Sequence, residues 1–135
     1  MSFDVFLNFD GDCREAIDFY AGVFKAAPSR VMTYGDAPGA SAADSARIIY
    51  ASVPIFGHNV MLSDCPSGSE YVKGTNICLT LGCEDKAEID RIFTALSDGG
   101  DVDMPLGKTF FSEYYGMVTD KFAVTWQLSY SPFAG

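Results

Sequence analysis

Two stretches of this sequence, 73 positions apart, carry the same arrangement of capping and apolar residues. Asp12 and Glu15 recur as Asp85 and Glu88, and Ala16, Phe19, Tyr20 and Val23 recur as Ile89, Ile92, Phe93 and Leu96. An Asp three residues before a Glu is the spacing with which side chains satisfy the free amides of a helix start. Apolar residues at i, i+3, i+4 and i+7 then make one buried stripe. A β-rich run precedes each helix, Phe3 to Phe9 in the first stretch and Asn76 to Leu81 in the second. Pro28 ends the first helix and Gly99-Gly100 caps the second. A chain built this way is a duplicated βαβββ unit, and few folds accommodate one.

The remaining strands complete each unit. In the first, Arg30 to Tyr34, Arg47 to Ile55 and Asn59 to Ser63 read as strands, the last two joined at Phe56-Gly57-His58. Residues 35 to 46, GDAPGASAADSA, offer almost nothing to bury and read as a mobile loop, either a lid or a plain hairpin connection. In the second, Val102 to Met104, Tyr114 to Thr119 and Val124 to Tyr130 read as strands, with turns at Pro105-Leu106-Gly107 and Asp120-Lys121-Phe122. Alternation puts Ile77, Leu79 and Leu81 on one face and Asn76, Cys78 and Thr80 on the other. It likewise separates Trp126 and Leu128 from Thr125, Gln127 and Ser129. The apolar faces must meet the helix stripes, so the polar faces are left over. The expected class is α+β, one domain over residues 1–135 with units at about 2–66 and 74–131.

Composition narrows the partners. Nine Lys and Arg against eighteen Asp and Glu give a net charge of −9, with the basic residues scattered, which disfavours nucleic acid and anionic lipid. No apolar run approaches a membrane span, and no charged leader precedes Phe3, so a cytoplasmic protein is expected. Cys13, Cys65, Cys78 and Cys83 form no CxxC pair and read as structural thiols rather than a disulfide frame.

Beyond the repeat, the stretches LNFDGDCREAIDFYAGVF, MTYGD, NICLTLGCEDKAEIDRIFTALSDGG and MPLGKTFFSEYYGMVTDKFAVTWQ resemble the PhnB-like branch of the vicinal-oxygen-chelate superfamily. That superfamily includes glyoxalase I, bleomycin-resistance proteins and extradiol dioxygenases. The resemblance covers nearly the whole chain. It implies the glyoxalase/bleomycin-resistance fold, in which tandem βαβββ units form a curved, mostly antiparallel, cup-shaped sheet, commonly in a homodimer. Its enzymes hold a divalent metal through His, Gln or Glu on the first and last strands of each unit.

Laid on this chain, the glyoxalase pattern puts its ligand positions at Val5, around Met61 to Ser63, at Asn76 and at Gln127. Only Gln127 is of a type the superfamily uses, and Tyr50 stands where PhnB-like relatives often carry His. A catalytic metal is therefore not expected, and no cofactor is. The resemblance implies a small-molecule binding protein that works without metal. A metal-dependent lyase, isomerase or dioxygenase and a purely structural dimer are the alternatives. Some relatives bear the name of a demethylubiquinone methyltransferase. Gly35 and Gly39 lack the strand-turn-helix setting of a cofactor loop, so that activity is rejected.

The candidate pocket comprises Tyr50, Asn76, Cys78, Thr80, Glu113, Thr125 and Gln127, with Ser129 on the same face. Each has a plainer reading. The polar set is equally the solvated face of an antiparallel sheet. Glu113 acts as a base only if Phe110, Phe111, Tyr114 and Tyr115 desolvate it, and those rings suit a dimer seam as well as a cavity. Cys78 has no neighbour in sequence to activate it. His58, the one histidine, reads as an exposed turn residue.

Overall fold

The computed structural model describes residues 1–130; the expected end of the second unit at residue 131 lies outside them. The chain divides between Val72 and Lys73 into two compact units. The first runs β1 (Val5–Phe9), α1 (Cys13–Phe24), β2 (Ser29–Thr33), β3 (Ile48–Ile55) and β4 (His58–Asp64). The second runs β5 (Cys78–Cys83), α2 (Lys86–Ser97), β6 (Asp101–Gly107), β7 (Tyr115–Thr119) and β8 (Thr125–Tyr130). Each unit is βαβββ, as the repeat predicts.

The two sheets share one topology. Their strand orders are β1-β4-β3-β2 and β5-β8-β7-β6, and neither sheet is closed. In each, the first strand pairs parallel to the last, and the other pairs are antiparallel. The class is α+β, with mixed, mostly antiparallel sheets.

Helix burial follows the stripes. α1 buries Cys13, Ala16, Ile17, Tyr20 and Val23, and its sheet contributes Phe9, Ala51, Val53, Val60 and Leu62. α2 buries Ile89, Ile92, Phe93 and Leu96 on a sheet face that contributes Leu81, Val118, Trp126 and Leu128. Each large side chain so covered contributes about 1.5–3 kcal/mol against the entropy of ordering. The second helix lies so close to β7 that a Cβ on Gly116 would come within 2.8 Å of Phe93 Cε2 and Leu106 Cδ2.

The two helix starts differ from one another. Asp85 caps α2 as its spacing predicts, accepting from the amides of Ala87 and Glu88 at 2.9 and 3.4 Å. Asp12, at the equivalent position, makes no side-chain capping bond. Asp64 replaces it from the end of β4, with Oδ1 accepting from Gly11 N at 2.7 Å and from Cys13 N at 3.1 Å. The parallel pairing of Phe9 with Asp64 brings that carboxylate beside the β1–α1 turn.

Three local expectations need correction. β5 begins at Cys78, so Asn76 and Ile77 lie before the strand, and Ile77 is exposed rather than part of the apolar face. β6 continues through Pro105-Leu106-Gly107, where a turn was expected. It is an edge strand, and there the missing proline N–H is tolerated. Residues 35–46 open with a 3-10 turn, Tyr34–Asp36, and carry bonds of their own. Tyr34 N donates to Arg47 O at 2.9 Å and Gly35 N to Ser45 O at 3.0 Å, while Asp44 accepts from Ser67 N at 3.0 Å. Among the described residues no helix is long and apolar enough to cross a membrane.

Candidate functional site

Each sheet has a face that meets its helix and a face that does not. On the second sheet, register places Cys78 beside Thr125 and Thr119, then Thr80 beside Gln127 and Met117, then Gly82 beside Ser129 and Tyr115. Cys78, Thr80, Thr125 and Gln127 therefore share the open face, on the alternation that the sequence shows. Asn76 is exposed in a bend before that face begins.

A short chain of bonds crosses this face. Tyr115 donates from its hydroxyl to Gln127 Oε1 at 2.6 Å, and Gln127 Nε2 donates to Cys78 Sγ at 2.6 Å. Burial, with a smaller contribution from Cys78, raises the Tyr115 phenol pKa, so the hydroxyl keeps its proton and serves as donor. Gln127 is thus engaged at both ends of its amide. Below it, Thr119 Oγ1 lies 2.9 Å from Thr125 Oγ1 and donates to Asp103 Oδ2 at 2.6 Å.

The segment between β6 and β7 is built by hydroxyls. Thr109 Oγ1 accepts from the amides of Phe111 and Ser112 at 3.3 and 3.0 Å, and Ser112 Oγ lies 2.9 Å from Ser129 Oγ. The Phe111 ring stands edge-on to Tyr115 with centroids 4.9 Å apart, and Phe110 is wholly exposed. Tyr114 bonds Asp90 on α2. The Glu113 side chain is 68% exposed and 3.7 Å from Lys86 Nζ, so the surrounding rings do not desolvate it, and it has the geometry of a surface ion pair.

On the first sheet the open face carries Phe6 and Asn8 of β1, Ser52 of β3, and Met61 and Ser63 of β4. Tyr50 joins them, its ring 6.4 Å from that of Phe6. Ser63 Oγ lies 3.4 Å from Asn8 Oδ1, and Tyr71 donates from its hydroxyl to Asn8 O at 2.7 Å. Val5 is in register with Val60 on the helix side, so the expected first ligand position is one residue out of phase. Phe6 and Asn8 are the β1 residues that face outward, and the sequence reading passed over Asn8. His58 is exposed at the start of β4, opposite Ile55.

The donors on these faces do not fit the divalent ion of the superfamily's enzymes. They are amides, hydroxyls, thioethers, one thiol and, at the β6 edge, the carboxylates of Asp101 and Asp103, whereas such sites converge several imidazole or carboxylate ligands on one ion. Among the described residues no group of three or more His, Cys, Asp or Glu is placed to hold a metal ion.

The sequence and the fold have counterparts among known proteins. Protein YjdN of Escherichia coli is 32% identical over an alignment covering 96% of this chain and 95% of YjdN. The crystal structure of PA1353 from Pseudomonas aeruginosa superimposes with a TM-score of 0.86 at 31% identity, covering 96% of this chain and 98% of PA1353. A PhnB protein from Bacillus cereus does so with a TM-score of 0.83 at 30% identity, covering 97% and 100%. The family model described as 3-demethylubiquinone-9 3-methyltransferase matches residues 2–129. The chain belongs to this PhnB-like family. The PhnB-like fold extends to FosX of Listeria monocytogenes, a fosfomycin resistance protein, with a TM-score of 0.65. Identity there is 13%, over 97% of this chain and 93% of FosX, so that likeness concerns the fold alone.

Proposed function

We propose that this PhnB-like protein binds a small organic molecule on an open sheet face and works without a resident metal. The observation that carries the reading is the bond chain from Tyr115 through Gln127 to Cys78. Gln127 is the one residue of a metal-ligand type at the superfamily's positions, and both ends of its amide are already engaged. Turning it toward an ion would strip a buried phenol of its acceptor, a cost of about 1–3 kcal/mol.

What remains is a floor of hydroxyls, an amide and thioethers bordered by aromatic rings, the mixture that suits an organic ligand. Cys78, Thr80, Thr125 and Gln127 form its centre, Tyr50 serves the equivalent face of the first unit, and Asn76 and Glu113 stand at the margin. The exposed Val102, Met104, Phe110 and Phe111 support a homodimer seam. Four free cysteines accord with a reducing, cytoplasmic setting.

A metal-dependent lyase, isomerase or dioxygenase would need donors from outside these faces, and a structural dimer would need none of this polarity. The family description names a methyl transfer, which this reading leaves aside. The β1–α1 turn that a cofactor would approach already has its Gly11 and Cys13 amides bonded to Asp64.

A thermal-shift screen of organic compounds against wild type and Gln127→Leu tests the reading. Compounds that raise the wild-type Tm and lose that effect in the variant support it. A screen without stabilising compounds, or hits indifferent to the substitution, would overturn it.

A further inference from the structure

The open face of the second sheet has a one-sided charge distribution. Strands β5, β7 and β8, CLTLGC, YGMVT and TWQLSY, contain no ionisable Lys, Arg, Asp or Glu. The only charges in the sheet come from β6, as Asp101 and Asp103, and both are negative. Asp101 is in register with Thr119, and Asp103 Oδ2 accepts from Thr119 Oγ1 at 2.6 Å. Of the cations toward the other end, Lys86 lies by Glu113 and over the Tyr130 ring, Arg91 is held by Glu88, and Lys108 is exposed just past the end of β6, off the strands themselves.

We propose that this face takes a cationic aromatic small molecule, its amine at Asp103 and its ring system against Phe111, which stands edge-on to the buried Tyr115. The proposal rests on the binding reading above and names the ligand's chemistry. Charge complementarity carries it. An anion would be desolvated over four strands that carry no Lys or Arg, on a chain of net charge −9, whereas an amine meets a carboxylate already fixed by Thr119. The geometry sets a length. Thr119 and Tyr115 are the two ends of β7, and four steps at ~3.3 Å per residue separate the carboxylate end from the aromatic end by roughly 13 Å. Between them lie Gln127, Met117 and Met104 in one row across the sheet, an amide followed by two thioethers that pack readily against a flat ring. Phe111 is 55% exposed, so its free surface can take a ring, which the buried Tyr115 cannot.

Fluorescence titration of the full chain with three aromatic probes tests this. The probes are proflavine (cationic), N-phenyl-1-naphthylamine (neutral) and 1-anilinonaphthalene-8-sulfonate (anionic). Proflavine should bind at least about tenfold more tightly than the anionic probe, and Asp103→Asn should weaken it about tenfold, the loss of one charge-assisted bond. Phe111→Leu should weaken it as well without a change of charge, and Glu70→Gln, outside this unit, should leave it unchanged. Equal weakening by Glu70→Gln would reduce the effect to net charge and overturn the proposal. Tight binding of the neutral or anionic probe, sensitive to Gln127→Leu but not to Asp103→Asn, would overturn the cationic preference and leave the binding reading standing. Failure of all three probes to bind would remove both.

Discussion

Asp64 holds the start of α1 from the far end of β4, its Oδ1 accepting from Gly11 N at 2.7 Å. The same carboxylate takes Cys13 N through Oδ1 at 3.1 Å and Ile48 N through Oδ2 at 2.9 Å. One buried anion therefore ties the first helix to two strands of its sheet. Asp64→Asn keeps the shape but turns an acceptor into a donor facing amides. The variant should lose about 2–4 kcal/mol, read by urea denaturation with an unchanged slope.

The two helix starts make a paired test. Asp85→Ala removes two capping bonds and should cost about 1 kcal/mol. Asp12→Ala removes no capping bond of α1 and should cost only a few tenths, by the same measurement. Equal losses would show that Asp12 caps in solution.

How much of this could be read beforehand depends on how local each feature is. The duplicated unit was legible because a helix stripe and its cap lie within about ten residues of one another. The open-face placement of Cys78, Thr80, Thr125 and Gln127 was legible because strand alternation needs only a starting phase. Phase was also where the reading slipped, at Val5, since a shift of one residue exchanges the faces of a strand. The Asp64 cap was out of reach. Its partners lie 53 and 51 residues away, and nothing near Asp64 in sequence announces them. Nor does Tyr115 announce its bond to Gln127, which depends on the β7–β8 register.

Tyr115 offers a pH test. Burial raises its pKa above the ordinary value of 10.0, so the folded state holds the phenol proton more tightly than the unfolded chain. The contribution is complete below about pH 10 and is lost as pH rises toward the folded pKa, because the unfolded state releases its proton first. Stability of wild type should thus fall more steeply above pH 10 than that of Tyr115→Phe, with Tyr34 and Tyr71 adding a shared background from their own burial. Identical profiles would place the Tyr115 hydroxyl in water.

Gly116→Ala tests the packing of α2 on its sheet. The new Cβ would meet Leu106 and Phe93 at 2.8 Å, and the side chains must move to admit it. A loss of about 1–3 kcal/mol is expected, with the helix content by circular dichroism retained. No loss would mean that the helix stands further from β7.

The metal content of the native protein, by inductively coupled plasma mass spectrometry before and after chelator, tests the central claim most directly. The account predicts no stoichiometric transition metal and a thermal midpoint indifferent to chelation. About one metal per chain, returning on reconstitution and raising the midpoint, would contradict it and return Gln127 to the role of a ligand.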